Sequence, residues 1–407
     1  MSELDAAGRP RWIEVLAVSL RLGLSSFGGP IAHIGYQRRA FVERLGWLDE
    51  AAFGELVALG QALPGPASSQ LTIAVGRLRG GWAGALAAWV GFTLPSALLM
   101  TALGVIVAGG SIPTAGPVAG AIAGLKAAAV AVVLQAVVAM ARRLAPDAPR
   151  LGMAVVAGIV ALLLPVPLVQ PLLIGAGAVV GWAGLRRVAA AGPGSTDPPL
   201  RPAAARRRTA LVLFAAWVGL LASSQLAAVL TGRPELGFLG ALVRAGALVF
   251  GGGHVVLPLL DTGVVDPGWV SRDAFLAGYG AAQAVPGPLF SFAAYLGAVS
   301  TSGPGGVAGS ALALVAILLP GALLVLAALP VMTWLRTRTG MAAALAGVNA
   351  TVVGILAAAL VNPVGTGGLT SIPAAVVAAA GSAALLSGRV PPIAVVAGSA
   401  LAMALLA

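Results

Sequence analysis

The chain has 407 residues, of which 59% are hydrophobic and only 9% carry a charged side chain. Soluble domains contain roughly 25% charged residues, so this composition excludes an ordinary soluble protein and predicts a membrane protein. The net charge of +11 reflects an excess of arginine, which is typical of the cytoplasmic loops of membrane proteins, and we expect no nucleic-acid partner.

The predicted elements are helices that cross or enter a bilayer. The first residues, 1–12, are polar and lack the apolar core of a signal peptide, so we expect none. Long stretches without Asp, Glu, Lys or Arg follow at 80–125, 151–185, 274–335 and 339–388. One crossing takes roughly 20 apolar residues, and these stretches lack the alternation of membrane strands. The predicted fold class is therefore an all-α polytopic membrane protein.

Two halves of the chain repeat the same pattern. QALPGP at 61–66 is matched by QAVPGP at 283–288, and RLGLSSFGGP at 21–30 is matched by RAGALVFGGG at 244–253. A region rich in Arg, Pro and Gly separates the halves, as expected of a cytoplasmic linker. The predicted domains are a first transporter repeat at 1–190, a linker at 191–208, a connecting transmembrane helix at 209–230 and a second repeat at 231–407.

The charged loops indicate that the two repeats have opposite orientations. The loop at 36–47 contains Arg38, Arg39 and Arg44, whereas its counterpart at 259–269 contains two Asp and no Arg. Arginine is enriched in cytoplasmic loops, so equivalent loops of two parallel repeats would both be rich or both be poor in arginine. We therefore predict inverted topology, with the N-terminus and the linker in the cytoplasm and the C-terminus outside. Inverted repeats are common in secondary transporters, whose substrate sites lie near the membrane midplane.

Pro64-Gly65-Pro66 divides an apolar segment into two helical pieces of about 14 residues each. Each piece would rise roughly 21 Å, which is short of a hydrocarbon core of about 30 Å. We therefore predict re-entrant half-helices that meet at the midplane. Because proline suits the first helical position, the second half-helix would direct free N–H groups at the break. Two such breaks would form a shared anion site, and a simple kink between tilted helices is the alternative.

The breaks and the few charges inside apolar segments supply the candidate site residues. Lys126, the only lysine, is a candidate cation for an anionic substrate, with snorkelling from a helix end as the alternative. The predicted substrate-binding residues are Lys126, Pro66, Ala67, Ser68, Ser69, Gly28, Gly29, Gln61, Gly251, Gly252, Gln283, Gly287, Pro288, Ser291 and Asn349. The predicted gating or coupling residues are Arg21, Arg244, Glu14, Glu55, His33 and His254. Neutralisation of Arg21 is an alternative role for Glu14.

The motifs SFGGP at 26–30, LGQALPGP at 59–66, GLKAAAV at 124–130 and FGGGHVVLP at 250–258 resemble those of a known family. They are similar to the long-chain, two-domain chromate ion transporters of bacterial plasma membranes, and the resemblance covers nearly the whole chain. It implies a multi-pass protein of the bacterial inner membrane that exports chromate and confers chromate resistance, with sulfate as a related substrate. One departure is Gly253, where the first repeat has Pro30.

Three functions are compatible with this pattern. The first is a secondary active transporter that exports chromate by alternating access, and the second is a passive oxyanion channel or sulfate-type importer. The third, a membrane enzyme, is disfavoured because the apolar segments contain no paired carboxylates, metal-ligand cluster or activated nucleophile, and the chain has no cysteine. We expect no cofactor. The expected partners are chromate or a sulfate-like oxyanion and the lipid bilayer, and a homodimer is one alternative for the assembly.

Overall fold

The computed structural model describes residues 10–27, 29–110, 115–164, 169–185, 204–250, 253–332 and 339–407. Its regular elements are helices, which confirms the predicted all-α fold. Shorter apolar helices of 10–17 residues accompany longer ones. Within these described ranges, five helices are long and apolar enough to cross a membrane: Ala67–Gly109, Gly116–Leu144, Arg207–Thr231, Gly306–Val331 and Gly340–Gly368.

The described residues of the first repeat form seven α-helices. They are α1 (Arg11–Ser25), α2 (Gly29–Arg38), α3 (Glu50–Ala62), α4 (Ala67–Gly109), α5 (Gly116–Leu144), α6 (Ala148–Leu163) and α7 (Val169–Gly184). A π-helical segment, Arg39–Arg44, extends α2. Non-helical backbone at Gly80 and Gly81 divides α4 into a short and a long helix. The helix α3 and the short part of α4 occupy the positions predicted for the two half-helices.

The connecting helix, α8 (Ala204–Thr231), is longer than the predicted 209–230, and the linker residues 191–203 lie outside the described residues. A 3₁₀ turn, Gly253–Val255, and a π-helical segment, Asp261–Val265, flank the short helix α10. The second repeat contains α9 (Pro234–Leu248), α10 (Val256–Leu260), α11 (Arg272–Ala282), α12 (Phe292–Val299), α13 (Gly306–Ala328), α14 (Thr339–Ala359), α15 (Ile372–Leu386) and α16 (Pro392–Leu406).

The two repeats interlock through their last helices. A β-carbon at Gly124 of α5 would lie 2.2 Å from the Ser399 carbonyl oxygen of α16. A β-carbon at Gly347 of α14 would lie 2.1 Å from the Gly177 carbonyl oxygen of α7. Small residues allow helices to approach this closely. Because α5 matches α14 and α7 matches α16 in the sequence repeat, the last helix of each repeat packs on the other repeat.

Each Pro-Gly-Pro break joins two helices into a hairpin: α3 and the short part of α4 in the first repeat, and α11 and α12 in the second. The first helix of each hairpin starts at a capped position. The Asp49 carboxylate accepts a hydrogen bond from the Ala52 N–H at 2.7 Å, and the Ser271 hydroxyl accepts one from the Ala274 N–H at 3.2 Å. Such caps satisfy amides that a helix start leaves without an intrahelical acceptor. Asp49 and Ser271 are 222 residues apart, as are the two Pro-Gly-Pro breaks. The caps therefore start both hairpins at equivalent points.

Candidate substrate site

Each Pro-Gly-Pro break is hydrogen-bonded to the opposite repeat. The Gly65 N–H donates to the Val249 carbonyl, and the Gly287 N–H donates to the Ser26 carbonyl, both at 2.8 Å. Ser26 and Val249 are the residues immediately before the two Phe-Gly-Gly motifs. Each break is thus held against the glycine-rich segment of the other repeat.

Both breaks require glycine at their centre. The φ angles are +128° at Gly65 and +103° at Gly287, a region that other residues rarely adopt. Space is also restricted, because a β-carbon at Gly65 would lie 2.5 Å from Gln70 Nε2. A β-carbon at Gly287 would lie 2.8 Å from Ser96 Oγ. The backbone conformation and the restricted space therefore both require glycine at these two positions.

The glutamines that precede the breaks have different contacts. Gln61 Oε1 accepts a hydrogen bond from Arg143 Nη2 at 2.7 Å, which ties the end of α3 to the end of α5. Gln283 Nε2 is buried and has no hydrogen-bond partner in the part of the chain that the structure describes. The second glutamine is therefore the one with a buried donor that has no partner in the described residues.

A polar network follows the first break. The Gln37 side-chain amide donates to the Ser68 carbonyl at 2.8 Å and to Thr72 Oγ1 at 2.7 Å. His33 Nδ1 lies 3.3 Å from Ser68 Oγ. The network therefore connects α2 to the first turns of α4, directly after the first break.

Buried polar atoms without partners occur in the segments that form the two breaks and their contacts, and they include the acceptors Gln37 Oε1 and Gln70 Oε1 as well as three donors. Ser26 Oγ, Ser69 Oγ and Gln283 Nε2 have no hydrogen-bond partner within the described ranges, and Ser26 and Ser69 are 0% and 2% exposed. An unsatisfied buried polar group costs roughly 1–3 kcal/mol, so these groups indicate a bound water or ligand. Hydroxyl and amide donors suit an oxyanion, as do the free N–H groups of the helix turn that begins at Ala67.

His254 brings the glycine-rich segments together. Gly29 has φ +79°, and a β-carbon there would lie 3.8 Å from His254 Nε2. His254 Nδ1 in turn lies 2.8 Å from the hydroxyl oxygen of Tyr279 in α11. The predicted residues Gly28, Gly251 and Gly252 lie outside the described residues, and their role in binding stays a prediction.

The second break leads into a different structure. Pro288 is followed by a 3₁₀ turn, Leu289–Ser291, and α12 starts only at Phe292. Ser291 is buried in this turn at 2% exposure. The expected pair of equivalent α-helical N-termini is therefore not formed. The large side chains after Pro288 pack into the core, whereas small residues follow Pro66.

Lys126 forms an ion pair. Its Nζ lies 2.8 Å from Asp273 Oδ1 in the first turn of α11, and the two side chains are 12% and 66% exposed. A lysine that reaches an exposed carboxylate from an apolar helix agrees with the snorkelling alternative. At the matching position on α14, Asn349 Oδ1 is buried and has no hydrogen-bond partner among the described residues. Substrate binding by Lys126 and Asn349 stays a prediction.

The arginines at matching positions have different surroundings. Arg21 is exposed near the end of α1. Arg244 is partly buried, and its Nη1 donates to Gln225 Oε1 of α8 at 3.1 Å. Because α8 has no counterpart in the first repeat, only Arg244 has this partner. The gating or coupling role of Arg21 and Arg244 stays a prediction.

Glu14 has a different partner from the one expected. It pairs with Arg79 at 3.0 Å rather than with Arg21, which corrects the alternative that it neutralises Arg21. The reason is the close approach of the two helices, since a β-carbon at Gly80 would lie 3.2 Å from Trp12 N. Glu55 is partly buried in α3, and its coupling role stays a prediction.

Sequence reasoning missed Ser26, Gln37, Thr72 and Asp273. Gln37 follows His33 by four residues and Thr72 follows Ser68 by four, a spacing that places each pair on one helix face. Polar pairs at this spacing on largely apolar helices were the available signal. For Ser26 the signal was a hydroxyl where the other repeat has Val249.

Comparison with known proteins gives a consistent result. A family model described as Chromate transporter matches residues 13–182 and again residues 236–404. The chain is 29% identical over 318 residues to the chromate transport protein of Pseudomonas aeruginosa, which covers 75% of this chain and 70% of that protein. It is 29% identical over 293 residues to a probable chromate transport protein of Synechococcus elongatus, with coverage of 70% and 68%. No solved structure matches.

Proposed function

The chain belongs to the chromate transporter family, and we propose that it exports chromate from the cytoplasm as a secondary active transporter. It is a multi-pass membrane protein and a transporter rather than an enzyme. We place it in the bacterial inner membrane, with the N-terminus in the cytoplasm and the C-terminus outside. Export of chromate would confer resistance, and sulfate, which has the same charge and shape, is expected to compete.

The observation that supports this substrate class is the set of free donors where the breaks cross the repeats. Ser26, Ser69 and Gln283 each present a buried donor without a partner in the described ranges. A tetrahedral dianion has oxygens on every side and accepts several such hydrogen bonds. Donors to a charged acceptor contribute roughly 1.5–3 kcal/mol each, so three of them would hold chromate without an arginine or lysine.

The crossing hydrogen bonds also support alternating access as the mechanism. Each break belongs to one repeat and is held by the other, so a movement between the repeats changes both breaks together. In inverted repeats, such a movement closes the site to one side of the membrane while opening it to the other. The breaks would then act as the half-helix ends that surround the substrate at the midplane.

Chromate uptake into everted membrane vesicles tests this proposal, with and without an imposed proton gradient and with sulfate as the competitor. The informative variant is Ser26→Ala, which removes one proposed donor. We expect it to raise the half-saturating chromate concentration about tenfold, because about 1.4 kcal/mol of binding free energy corresponds to that factor.

Ser25→Ala is the matched control. Ser25 is exposed, and its hydroxyl donates to the Arg21 carbonyl within the same helix, so uptake should stay unchanged. If the unmodified protein accumulates no chromate under any gradient, export is disproved and a passive pathway remains. If both serine variants behave alike, Ser26 does not bind substrate.

A further inference from the structure

A polar cavity away from the candidate substrate site contains none of the break residues. It lies between the ends of α6 and α7, the α10 region and the end of α14, and its volume is about 80 Å³. Its polar lining includes Gln170, Asp261, Thr262, Asp266 and Arg272. Because one water needs only roughly 10–15 Å³, the cavity is large enough for several waters.

Two buried oxygen atoms in this cavity lack hydrogen-bond donors. Asp261 is 6% exposed and Gln170 is 8% exposed, and neither Asp261 Oδ1 nor Gln170 Oε1 has a hydrogen-bond partner within the described residues. The orientation of the amide follows from its other atom, because Gln170 Nε2 donates to the Pro258 carbonyl at 3.1 Å. Both unpartnered groups are therefore acceptors that line one cavity.

The surrounding charges leave the cavity negative. Arg272 lies between two carboxylates, with Nη1 at 3.4 Å from Asp261 Oδ1 and Nη2 at 3.5 Å from Asp266 Oδ1. These distances are longer than the roughly 2.7–2.9 Å of charge-assisted hydrogen bonds. One guanidinium is thus shared loosely by two acids, and one negative charge remains.

The other ionisable groups near this segment have partners of their own. Arg244 of α9 approaches from the Gly263 side and donates to Gln225, while Asp273 of α11 pairs with Lys126. The cavity-lining residues of α6, α7 and α14 are not ionisable. Asp261 is therefore the buried acid of this cavity, and Arg272 compensates its charge only in part.

The first repeat has a corresponding cluster, which also contains one arginine and two acids. Arg38 pairs there with Glu43 at 2.5 Å and also with Glu50, and the three side chains are 46–59% exposed. Glu50 and Arg272 are 222 residues apart, so the two clusters hold the same place in their repeats. The first cluster is a set of exposed ion pairs, whereas the second places an acid in a buried cavity. Ion pairs that only stabilise the fold do not require that burial.

We propose that Asp261 carries the proton that couples chromate export to the proton gradient, an inference that rests on the proposed function. One proton converts the Asp261 carboxylate into a donor, which satisfies Gln170 Oε1 directly or through a water. It also cancels the remaining charge of the cavity. A metal ion is less suited, because the described residues contain no group of three or more His, Cys, Asp or Glu that could hold one.

The position of Asp261 explains how a proton would affect the substrate site. The helical segment 253–265 contains Asp261 near one end and His254, which approaches Gly29, at the other. Arg272 begins α11, which leads directly to the second Pro-Gly-Pro break. Protonation of Asp261 weakens its attraction for Arg272, so one of the two ion pairs that connect these elements is lost and they can move relative to each other more easily.

The test uses the purified full-length protein in proteoliposomes, with the Asp261→Asn variant beside it. Chromate counterflow without any gradient measures substrate exchange, and chromate accumulation under an imposed pH gradient measures coupling. Asp261→Asn should keep counterflow within about twofold and lose the gradient-driven accumulation. Glu43→Gln is the matched control, since Glu43 is 48% exposed and shares an arginine with a second acid in the corresponding cluster of the first repeat, and it should keep both activities.

Infrared spectroscopy of the solubilised protein gives a second readout that needs no chromate. The band of a protonated carboxyl group should appear as the pH is lowered through the range of the transport assay and should be missing in Asp261→Asn. The inference is overturned if that variant still accumulates chromate, if a sodium gradient alone drives the unmodified protein, or if the band is unaffected by the substitution. Absence of counterflow in the unmodified protein would instead disprove chromate transport, while the infrared result still decides the protonation of Asp261.

Discussion

The two Pro-Gly-Pro hairpins share a backbone arrangement and differ in their side chains. Both start at a capped residue, both have glycine at positive φ, and both donate a hydrogen bond to the residue before a Phe-Gly-Gly motif of the other repeat. The buried residues after the first break include four polar ones, namely Ser68, Ser69, Gln70 and Thr72, among apolar neighbours. The buried residues after the second break are largely apolar and aromatic, namely Leu289, Phe290, Phe292 and Tyr295.

This difference indicates a division of work between duplicated halves. Phe292 contacts Phe275 edge-on at 5.3 Å and Tyr279 at 5.9 Å, so the second hairpin is anchored in an aromatic cluster. Aromatic pairs of this kind contribute roughly 0.5–1.5 kcal/mol beyond their buried area. The first hairpin has unpartnered polar groups instead. We infer that the second hairpin supports the site and that the first supplies most of its donors.

The largest effect is expected where the hairpins are alike. Gly65→Ala and Gly287→Ala should each lower stability by about 2 kcal/mol or more, because a β-carbon meets both positive φ and a close neighbour. Thermal unfolding of the purified variants measures this. Gly54→Ala is the control, since nothing lies within 4 Å of its β-carbon position in α3. Normal stability of either break variant would show that its glycine is not required.

The next largest effect should show that the two hairpins contribute differently to chromate binding. Ser69 and Ser291 are 222 residues apart and hold the same place after their breaks. Ser69→Ala removes an unpartnered buried donor and should raise the half-saturating chromate concentration about tenfold. Ser291→Ala should change it less than twofold, because the large side chains around Ser291 belong to the core. Equal effects of the two substitutions on uptake would contradict the division of work between the hairpins.

The sequence was sufficient to predict the features that recur in both repeats. Composition predicts membrane helices, and the proline and glycine residues predict breaks at Pro64-Gly65-Pro66, because these residues restrict the backbone through local sterics. The register between the repeats also predicts which positions are equivalent. These features depend on neighbours in sequence, and the structure has them where they were expected.

Contacts between distant residues could not be predicted in the same way. The pairing of Glu14 with Arg79 follows from the approach of α1 to Gly80, and that of Lys126 with Asp273 follows from the packing of α5 beside α11. Neither approach has a periodic signal in the sequence. Ser26 illustrates the same point, because its importance comes from the Gly287 N–H that crosses from the other repeat.

A smaller effect is expected from making the second glycine-rich segment resemble the first. Val249 is 0% exposed and holds the place that Ser26 has in the other repeat. Val249→Thr should lower stability by about 1 kcal/mol, because it buries a hydroxyl at nearly constant shape, and should not improve chromate uptake. The stability of Val249→Ala, which loses apolar volume without gaining a hydroxyl, serves as the comparison. Improved uptake by the threonine variant would show that both segments can supply a donor.

The smallest effect concerns the basic residues of α5, which contact the two hairpins differently. Arg143 donates to Gln61 at the first break, while Lys126 pairs with Asp273 at the start of the second hairpin. Because Asp273 is 66% exposed, the ion pair should contribute only about 0.2–1 kcal/mol to the free energy of unfolding. A double-mutant cycle of Lys126→Met and Asp273→Asn measures this contribution. If Lys126 only stabilises the second hairpin through Asp273, both single substitutions should reduce chromate uptake equally. The double variant should then have the same uptake as either single variant. Loss of uptake in Lys126→Met alone would instead show that the lysine leaves Asp273 during the cycle and binds the substrate.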